Sequence, residues 1–535
     1  MELSPSRALK GAPTIPIQRD KIHGVPLQRV PINNFRGGLN TRDGPFDLQP
    51  NESPDLQNVT VSDLVGQLRV RKGKTQFDNG TVTGHSDHMQ QIVLSTSIRW
   101  IMMSVNGAIR ACSMSGAVQT LYTGTAGTVW CFSQYPDATG ADKVWMMNGT
   151  DPPQKWDGVA SVTSAWAGTP PAGNLCKVFG NRMFVIGVAA TPQRAFFSPY
   201  GDPEATTAPY GYIDMRGPED ELDYFIDMGE LGTRLYLFKR ESVWVMNDSA
   251  TMANRRLGRP GVAGRFMLCE MNAKLYWFNQ QGLWSTAGVA IAYESGSINN
   301  WFPTNLNYAA VASSRLLSTR DSYQRMFLAV ATNTSVNQKP NVIIEYVPNI
   351  NFRRIGGRRY LLLPAFFIHT IPIQAMCNVN TTGTSAWQVV GSAADVTKLY
   401  TLFSGQTDDG AAISGYWKSS WMAIQGEEPF ERIRRCNVEL YGDCIVDIYK
   451  DFNITPDFSA TLPNPAVSGD NTWDNPPNVW DTGIDVWDPP NEYRFARVRP
   501  ESRGRFHQVQ FRTLPGGIPF YINVAEFAVR GGKEH

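Results

Sequence analysis

The sequence predicts an all-β protein: a β-propeller-like platform of about seven blades, with an extended N-terminal arm before it and a C-terminal β-sandwich after it. Three observations predict this. A strand grammar recurs along the middle of the chain, alternating strands fill the C-terminal fifth, and the composition favours short strands joined by turns. Glycine (47) and proline (35) are plentiful, aromatics make up 11% and charged residues only 18%. Long helical runs of Glu, Lys and Leu are almost absent, and this mixture suits sheets better than helices.

The grammar is clearest at residues 232–246, GTRLYLFKRESVWVM. β-Branched and aromatic residues fill both arms and charge sits between them, as a hairpin requires. Residues 272–286, NAKLYWFNQQGLWST, repeat the plan, with Trp244 and Trp284 in the same place. The core of the pattern is a basic residue followed by aliphatic, aromatic and apolar positions. It returns as KVWMM at Lys143, RMFVI at Arg182, RLYLF at Arg234, KLYWF at Lys274, RMFLA at Arg325 and KLYTL at Lys398, with a looser RWIMM at Arg99. Successive basic residues are 44, 39, 52, 40, 51 and 73 residues apart. A four-stranded propeller blade takes roughly 40 to 50 residues, so the last step implies an insertion or a degenerate blade. The aromatic positions Trp145, Phe184, Tyr236, Tyr276, Phe327 and Tyr400 are therefore expected in strands and buried between or within blades.

Basic and acidic residues nearly cancel, 49 against 48, so the whole chain exerts no net pull on nucleic acid, although a channel lining can carry its own sign. The seven cysteines are scattered without a CxxC pair. Free buried thiols made in a reducing cytosol are the simplest account; whether Cys436 and Cys444 face each other across neighbouring strand turns is a question the sequence leaves open. No apolar h-region follows Met1, and YLLLPAFFI at 360–368 is too short and proline-broken to span a membrane.

In chain order, residues 1–88 hold the arm and a Gly-Gly segment, 89–422 the propeller-like platform, and 423–535 the sandwich. Residues 1–33 carry five prolines and no sustained periodicity, which describes either an arm laid along a neighbouring subunit or plain disorder. Residues 35–73, FRGGLNTRDGPFDLQPNESPDLQNVTVSDLVGQLRVRKG, are dense in turn signals. Gly37-Gly38 is not a phosphate loop, because no GK[ST] and no strand-to-helix context follow.

Chemistry-bearing clusters are few. His85, Asp87 and His88 offer three potential ligands in four residues, but no second cluster completes a metal set. Asp202 with Glu204, and Glu219 to Glu221, are paired acids in turn-rich sequence. GxSxG and HExxH are absent. The expectation is accordingly no enzyme, no cofactor and no metal. Two arginine groups, Arg255, Arg256, Arg259 and Arg265, and Arg353, Arg354, Arg358 and Arg359, are candidates for subunit contacts or for sequence-independent DNA contacts. Past residue 423 the strands ERIRRCNVELYGDCIVDIYKDF, YRFARVRP, GRFHQVQFRT and FYINVAEFAVR alternate as sheet faces do. Among them, Trp473, Trp480 and Trp487 each precede an Asp at seven-residue spacing in a proline-broken loop. This loop is a candidate partner-facing surface, with sugar or Ca²⁺ binding as alternatives to simple packing.

The Gly-Gly-Leu-Asn start, the acidic-Pro-Phe step, Pro-Asn-Glu, Leu-x-Asn-Val and the closing Leu-Arg-x-Arg-x-Gly together resemble the N-terminal signature of tail nozzle proteins of short-tailed bacteriophages, the tail tubular protein B type, and related tail hubs. RAFFSPYGDPEA at 194–205, the 232–246 hairpin, and GRFHQVQFR with INVAEFAVRGG near the C-terminus are similar to the same group. The resemblance implies a structural virion protein made in the host cytoplasm. It would form a ring, usually sixfold, at the distal tail tube, joining the tail adaptor to fibres or spikes and giving DNA an exit channel with transient, non-specific contacts. The alternatives are a receptor- or glycan-binding tail tip protein and a tail-associated polysaccharide depolymerase.

Overall fold

The computed structural model describes residues 21–531 except 62–65, 217–222, 248–251, 349–353, 360–363, 382–386, 423–430, 464–493 and a few runs of one to three residues. The described chain forms two compact units. One comprises residues up to 38, 44–70 and 414 onward; the other comprises 39–43 and 71–413. The divisions thus fall at 70/71 and 413/414, where 88/89 and 422/423 were expected. Among the described residues, no helix is long and apolar enough to cross a membrane.

The larger unit is a seven-bladed propeller, each blade a four-stranded antiparallel sheet. The innermost strands are His88–Val93, Cys131–Pro136, Leu175–Phe179, Phe225–Leu231, Leu268–Met271, Arg315–Ser318 and Ile373–Val379. Each packs on the next and the last returns to the first, closing the ring. The recurring motif is the second strand of a blade, as in Asp142–Met147, Arg182–Ile186, Arg234–Lys239, Lys274–Asn279 and Met326–Val330. This strand is flanked by sheet on both edges and by a blade on both faces. Its apolar run is therefore unbroken instead of alternating. Trp145, Phe184, Tyr236, Tyr276 and Phe327 are all buried there. Trp244 and Trp284 occupy third strands, and their indoles donate to Ser242 Oγ (3.2 Å) and Asn279 Oδ1 (3.0 Å).

The seventh blade departs from the expected register. Tyr400 is buried in a strand, but Leu399–Leu402 is the third strand of its blade. The second is Gln388–Ala393, which has neither the basic residue nor the aromatic one. A Cβ on its Gly391 would already lie 2.9 Å from Leu402 and 3.0 Å from Ile373, so the site leaves no room for a large ring. Among its described residues the long 73-residue step contains no further blade. It contains a hairpin, Arg354–Ile355 paired with Arg358–Arg359, inserted between the third and fourth strands of blade six.

The fourth strand of blade seven is Lys74–Gln76, from the N-terminal part of the chain, paired with Leu399–Leu402. Arg71, almost fully buried, anchors it by a two-pronged ion pair to Asp408. Gly73 admits this approach because a side chain there would collide with the Thr407 carbonyl.

The smaller unit is the β-sandwich. A seven-stranded sheet is built on Glu431–Tyr441 and Tyr521–Gly531, and a five-stranded sheet on Cys444–Lys450 and His507–Thr513. The hairpin between Tyr441 and Cys444 turns through Gly442 in the left-handed region (φ 84°), where glycine is favoured. Phe35 is fully buried, its ring 5.0 Å from Trp417 and 6.3 Å from Phe511. The N-terminal arm is shorter than expected. Gln28–Ile32 is a strand of the sandwich, antiparallel to Tyr521–Gly531, so intrachain hydrogen bonds order it. Cys436 and Cys444 are buried free thiols.

Truncating Tyr236 to Ala should cost about 3–5 kcal/mol, the scale of large aromatic deletions in a packed core. Chemical denaturation followed by tryptophan fluorescence measures it, and a loss below ~1 kcal/mol would contradict the burial assigned to the repeat.

Candidate site in the propeller channel

The inner strands enclose a cavity of about 750 Å³, the size of a small-molecule pocket. Its distinguishing feature is a stack of three planar rings. His88 begins the first blade's inner strand, Phe132 is the second residue of the next blade's, and Phe266 precedes the fifth blade's. The His88 ring lies 3.6 Å from Phe266 at 9° and 5.5 Å from Phe132 at 11°. Burial, reinforced by the cations Arg315 and Arg265, holds His88 well below the ordinary histidine range. The neutral imidazole thus serves as a third aromatic plate.

Two arginines border the stack, each within 6 Å of the Phe266 ring centre. Arg315 donates to the Asp87 carbonyl from Nε (3.0 Å) and Nη2 (2.8 Å), and to the Ser314 carbonyl (2.7 Å). Burial lowers it to about 10. Arg265 donates to the carbonyls of Asn174 (3.0 Å) and Val129 (3.3 Å). Asp227, whose carboxylate accepts from the Phe266 amide at 2.6 Å, is raised by burial to about 6. Lys177 lines both this cavity and a neighbouring one of about 330 Å³. Burial lowers its pKa, against the pull of Asp227, Glu230 and Glu270. Cys131 and Cys176, on adjacent inner strands, bring their sulfurs to 3.4 Å.

The candidate residues of the sequence are placed as follows. Arg255 and Arg256 lie on Asn254–Gly258, the outer strand of blade four, and Arg259 just beyond it; Arg255 and Arg259 are exposed. Arg265 is not on an outward loop with them. Its guanidinium is committed to main-chain carbonyls inside the channel, which withdraws it from the set of subunit or DNA contacts. The backbones of Arg354, Arg358 and Arg359 form the blade-six hairpin, while Arg353 lies outside the described residues. So do Trp473, Trp480 and Trp487.

His85 and His88 do not share a solvated loop. Nδ1 of His85 meets the Ala393 carbonyl at 3.0 Å, and His88 turns into the channel. Glu204 is tied to Lys155 at 2.7 Å. The sequence reading missed Lys177, Phe266 and the Cys131–Cys176 pair. The available signal was position: each stands at or next to the inner strand of a repeat, where a propeller gathers side chains on its axis.

These features define the class of the protein: a chain of two units, a seven-bladed β-propeller and a β-sandwich. No protein-family model and no curated protein matches the chain. Among solved structures it is similar to a streptogramin B lyase (TM-score 0.40, 8% identity, 62% of this chain and 97% of that one). It is also similar to YCF48 from Cyanidioschyzon merolae (TM-score 0.37, 9% identity, 62% and 98%). A third likeness is to the extracellular domain of the putative one component system BT4673 from B. thetaiotaomicron (TM-score 0.38, 8% identity, 78% and 58%).

Asp227 gives the channel a pH signature. An acid whose folded pKa exceeds its unfolded value binds its proton more tightly when folded. Its contribution to stability is therefore present at low pH and falls as pH rises from about 3.8 to about 6. Asp227→Asn, which cannot titrate, should gain stability relative to wild type across that window in denaturation curves at pH 4 and 6.5. An offset independent of pH would contradict the assignment.

Proposed function

We propose that the chain is a structural subunit of a bacteriophage tail: a nozzle or hub protein that repeats around the tail axis, binds an adaptor and fibres or spikes, and leaves DNA a path through the ring. The observation that supports this reading best is where the Gly-Gly signature falls. Its residues supply Leu56–Gln57, Val59–Val61 and Leu68–Val70 to the sandwich, and then run directly into the propeller's closing strand, Lys74–Gln76. The signature is framework, and a motif shared among structural tail proteins is expected to be framework. The other resembling stretches have the same character. RAFF is the third strand of blade three, and INVAEFAVRG lies within the last strand of the sandwich.

The size of the propeller cavity refines the proposal. At about 750 Å³ and partly filled by the ring stack, it suits small molecules. A DNA path in this reading belongs to the centre of the assembled ring, between subunits. Exposed aromatic surface offers contacts for assembly. Phe46 (54% exposed) and Phe452 (47%) form a cluster with Phe506 and Trp421 on the sandwich unit. Aromatic residues are enriched where proteins meet. The same exposure, with Arg194 over the half-exposed Tyr212 on blade three, favours a glycan-binding tail tip as the second reading.

Negative-stain imaging of the purified protein separates them: rings support the nozzle, while isolated particles that bind glycans support the tip protein. The arm provides a second test. Deleting residues 2–20 should leave a folded protein that assembles poorly. Deleting 1–33 should in addition destabilise the sandwich, because it removes the Gln28–Ile32 strand. Normal assembly of the shorter deletion, read by size-exclusion chromatography with light scattering, would show that the arm makes no contribution to the ring.

A further inference from the structure

We propose that Cys131 and Cys176 are a redox modification site: a dithiol that a peroxide converts to a disulfide joining the inner strands of two successive blades. Cys131 opens the inner strand Cys131–Pro136 and Cys176 lies in the inner strand Leu175–Phe179, with their sulfurs 3.4 Å apart. A disulfide requires ~2.05 Å between sulfurs, so the pair must close by little more than an ångström. Both thiols are buried yet line the 750 Å³ cavity, which gives a small oxidant a route that a protein thiol lacks.

The surroundings distinguish the two sulfurs. The Cys176 amide donates to the Cys131 sulfur at 3.2 Å, and the Arg265 guanidinium, fixed by two carbonyls, adds positive charge nearby. Burial opposes a thiolate at Cys131, but the hydrogen bonds from the Cys176 thiol and amide, with a smaller share from Arg265, outweigh it, whereas hydrogen bonding to Cys131 and burial hold the Cys176 proton in place. Elsewhere burial pushes the thiols up: Cys112 to about 12, and Cys269, Cys377, Cys436 and Cys444 in the same direction. Of the seven cysteines, only this pair combines a thiolate-favouring site with a second sulfur in reach.

The chemistry balances with hydrogen peroxide as oxidant. The Cys131 thiolate attacks one peroxide oxygen; an S–O bond forms, the O–O bond breaks, and hydroxide departs to become water. Cys176 then gives up its proton and attacks the sulfenic sulfur. The S–S bond forms, the S–O bond breaks, and the leaving hydroxide takes that proton as a second water. Two electrons pass from the sulfur pair to one peroxide.

The test uses the full-length reduced protein and hydrogen peroxide in slight excess, followed by quenching, denaturation, alkylation with iodoacetamide and peptide mass mapping. Two of the seven thiols should escape alkylation, and the linked peptide should join Cys131 to Cys176. Dithiothreitol should restore all seven. Cys131→Ser should keep six alkylatable thiols after peroxide. Cys176→Ser, which keeps the attacking sulfur and lacks the resolving one, should stop at oxidised Cys131 with five alkylatable thiols and no cross-link, and the wild-type map decides even if a variant folds poorly. All seven remaining alkylatable at doses that oxidise glutathione, a different linked pair, or sulfinic acid at Cys131 without a cross-link would overturn the proposal.

Discussion

The propeller depends on one pairing: Lys74–Gln76 against Leu399–Leu402. A ring of blades is a sheet-packing problem with no free end, and the last blade must be completed or its third strand becomes an exposed edge. Here the missing strand comes from more than 300 residues earlier in the chain. The loop-closure cost of that pairing is entropic and grows slowly with length. Local bonds offset it: Lys74 N to the Thr407 carbonyl (3.1 Å), Ser404 N to the Gly73 carbonyl (2.8 Å), and the Arg71–Asp408 ion pair. Gly73 is part of the same device, since any side chain would hold the two backbones apart.

Closure has consequences for the interior. It brings seven inner strands around one axis, so polar groups from distant parts of the chain share a low-dielectric space. Arg315 and Arg265 donate there to main-chain carbonyls, which offset part of the desolvation cost that still lowers both. His88, made neutral by the same burial, becomes stacking surface. A comparable solution holds blade six together. Its repeat arginine, Arg325, meets Glu345 at 2.6 Å, and Glu345 accepts from His369 at 2.9 Å. That basic residue is therefore a structural partner within the blade.

Much of the fold was legible because propeller blades repeat the same volume in the same place. RMFVI and RLYLF at Arg182 and Arg234 announce the buried second strand through an unbroken apolar run ending in turns. Blade seven was read one strand out, because Gly391 removes the aromatic that marks the second strand elsewhere. The closing strand Lys74–Gln76 carries only polar residues, KTQ, and nothing local in it signals an edge partner. Strand Gln28–Ile32 was read as arm because Pro26 just before it and Pro31 within it suggest extended chain, and its partner lies at the other end of the sequence. The channel was the least legible part. His88, Phe266 and Lys177 are separated by roughly 90 residues at each step, and only ring closure makes them neighbours.

Hydrogen exchange measured residue by residue tests the closure most directly. If Lys74–Gln76 is the fourth strand of blade seven, the Thr75 and Phe77 amides, which face Leu399–Leu402 in this register, should exchange as slowly as the amides of that strand, since both would open only with the ring. Exchange of Thr75 and Phe77 within seconds, while 399–402 remain protected, would contradict the account.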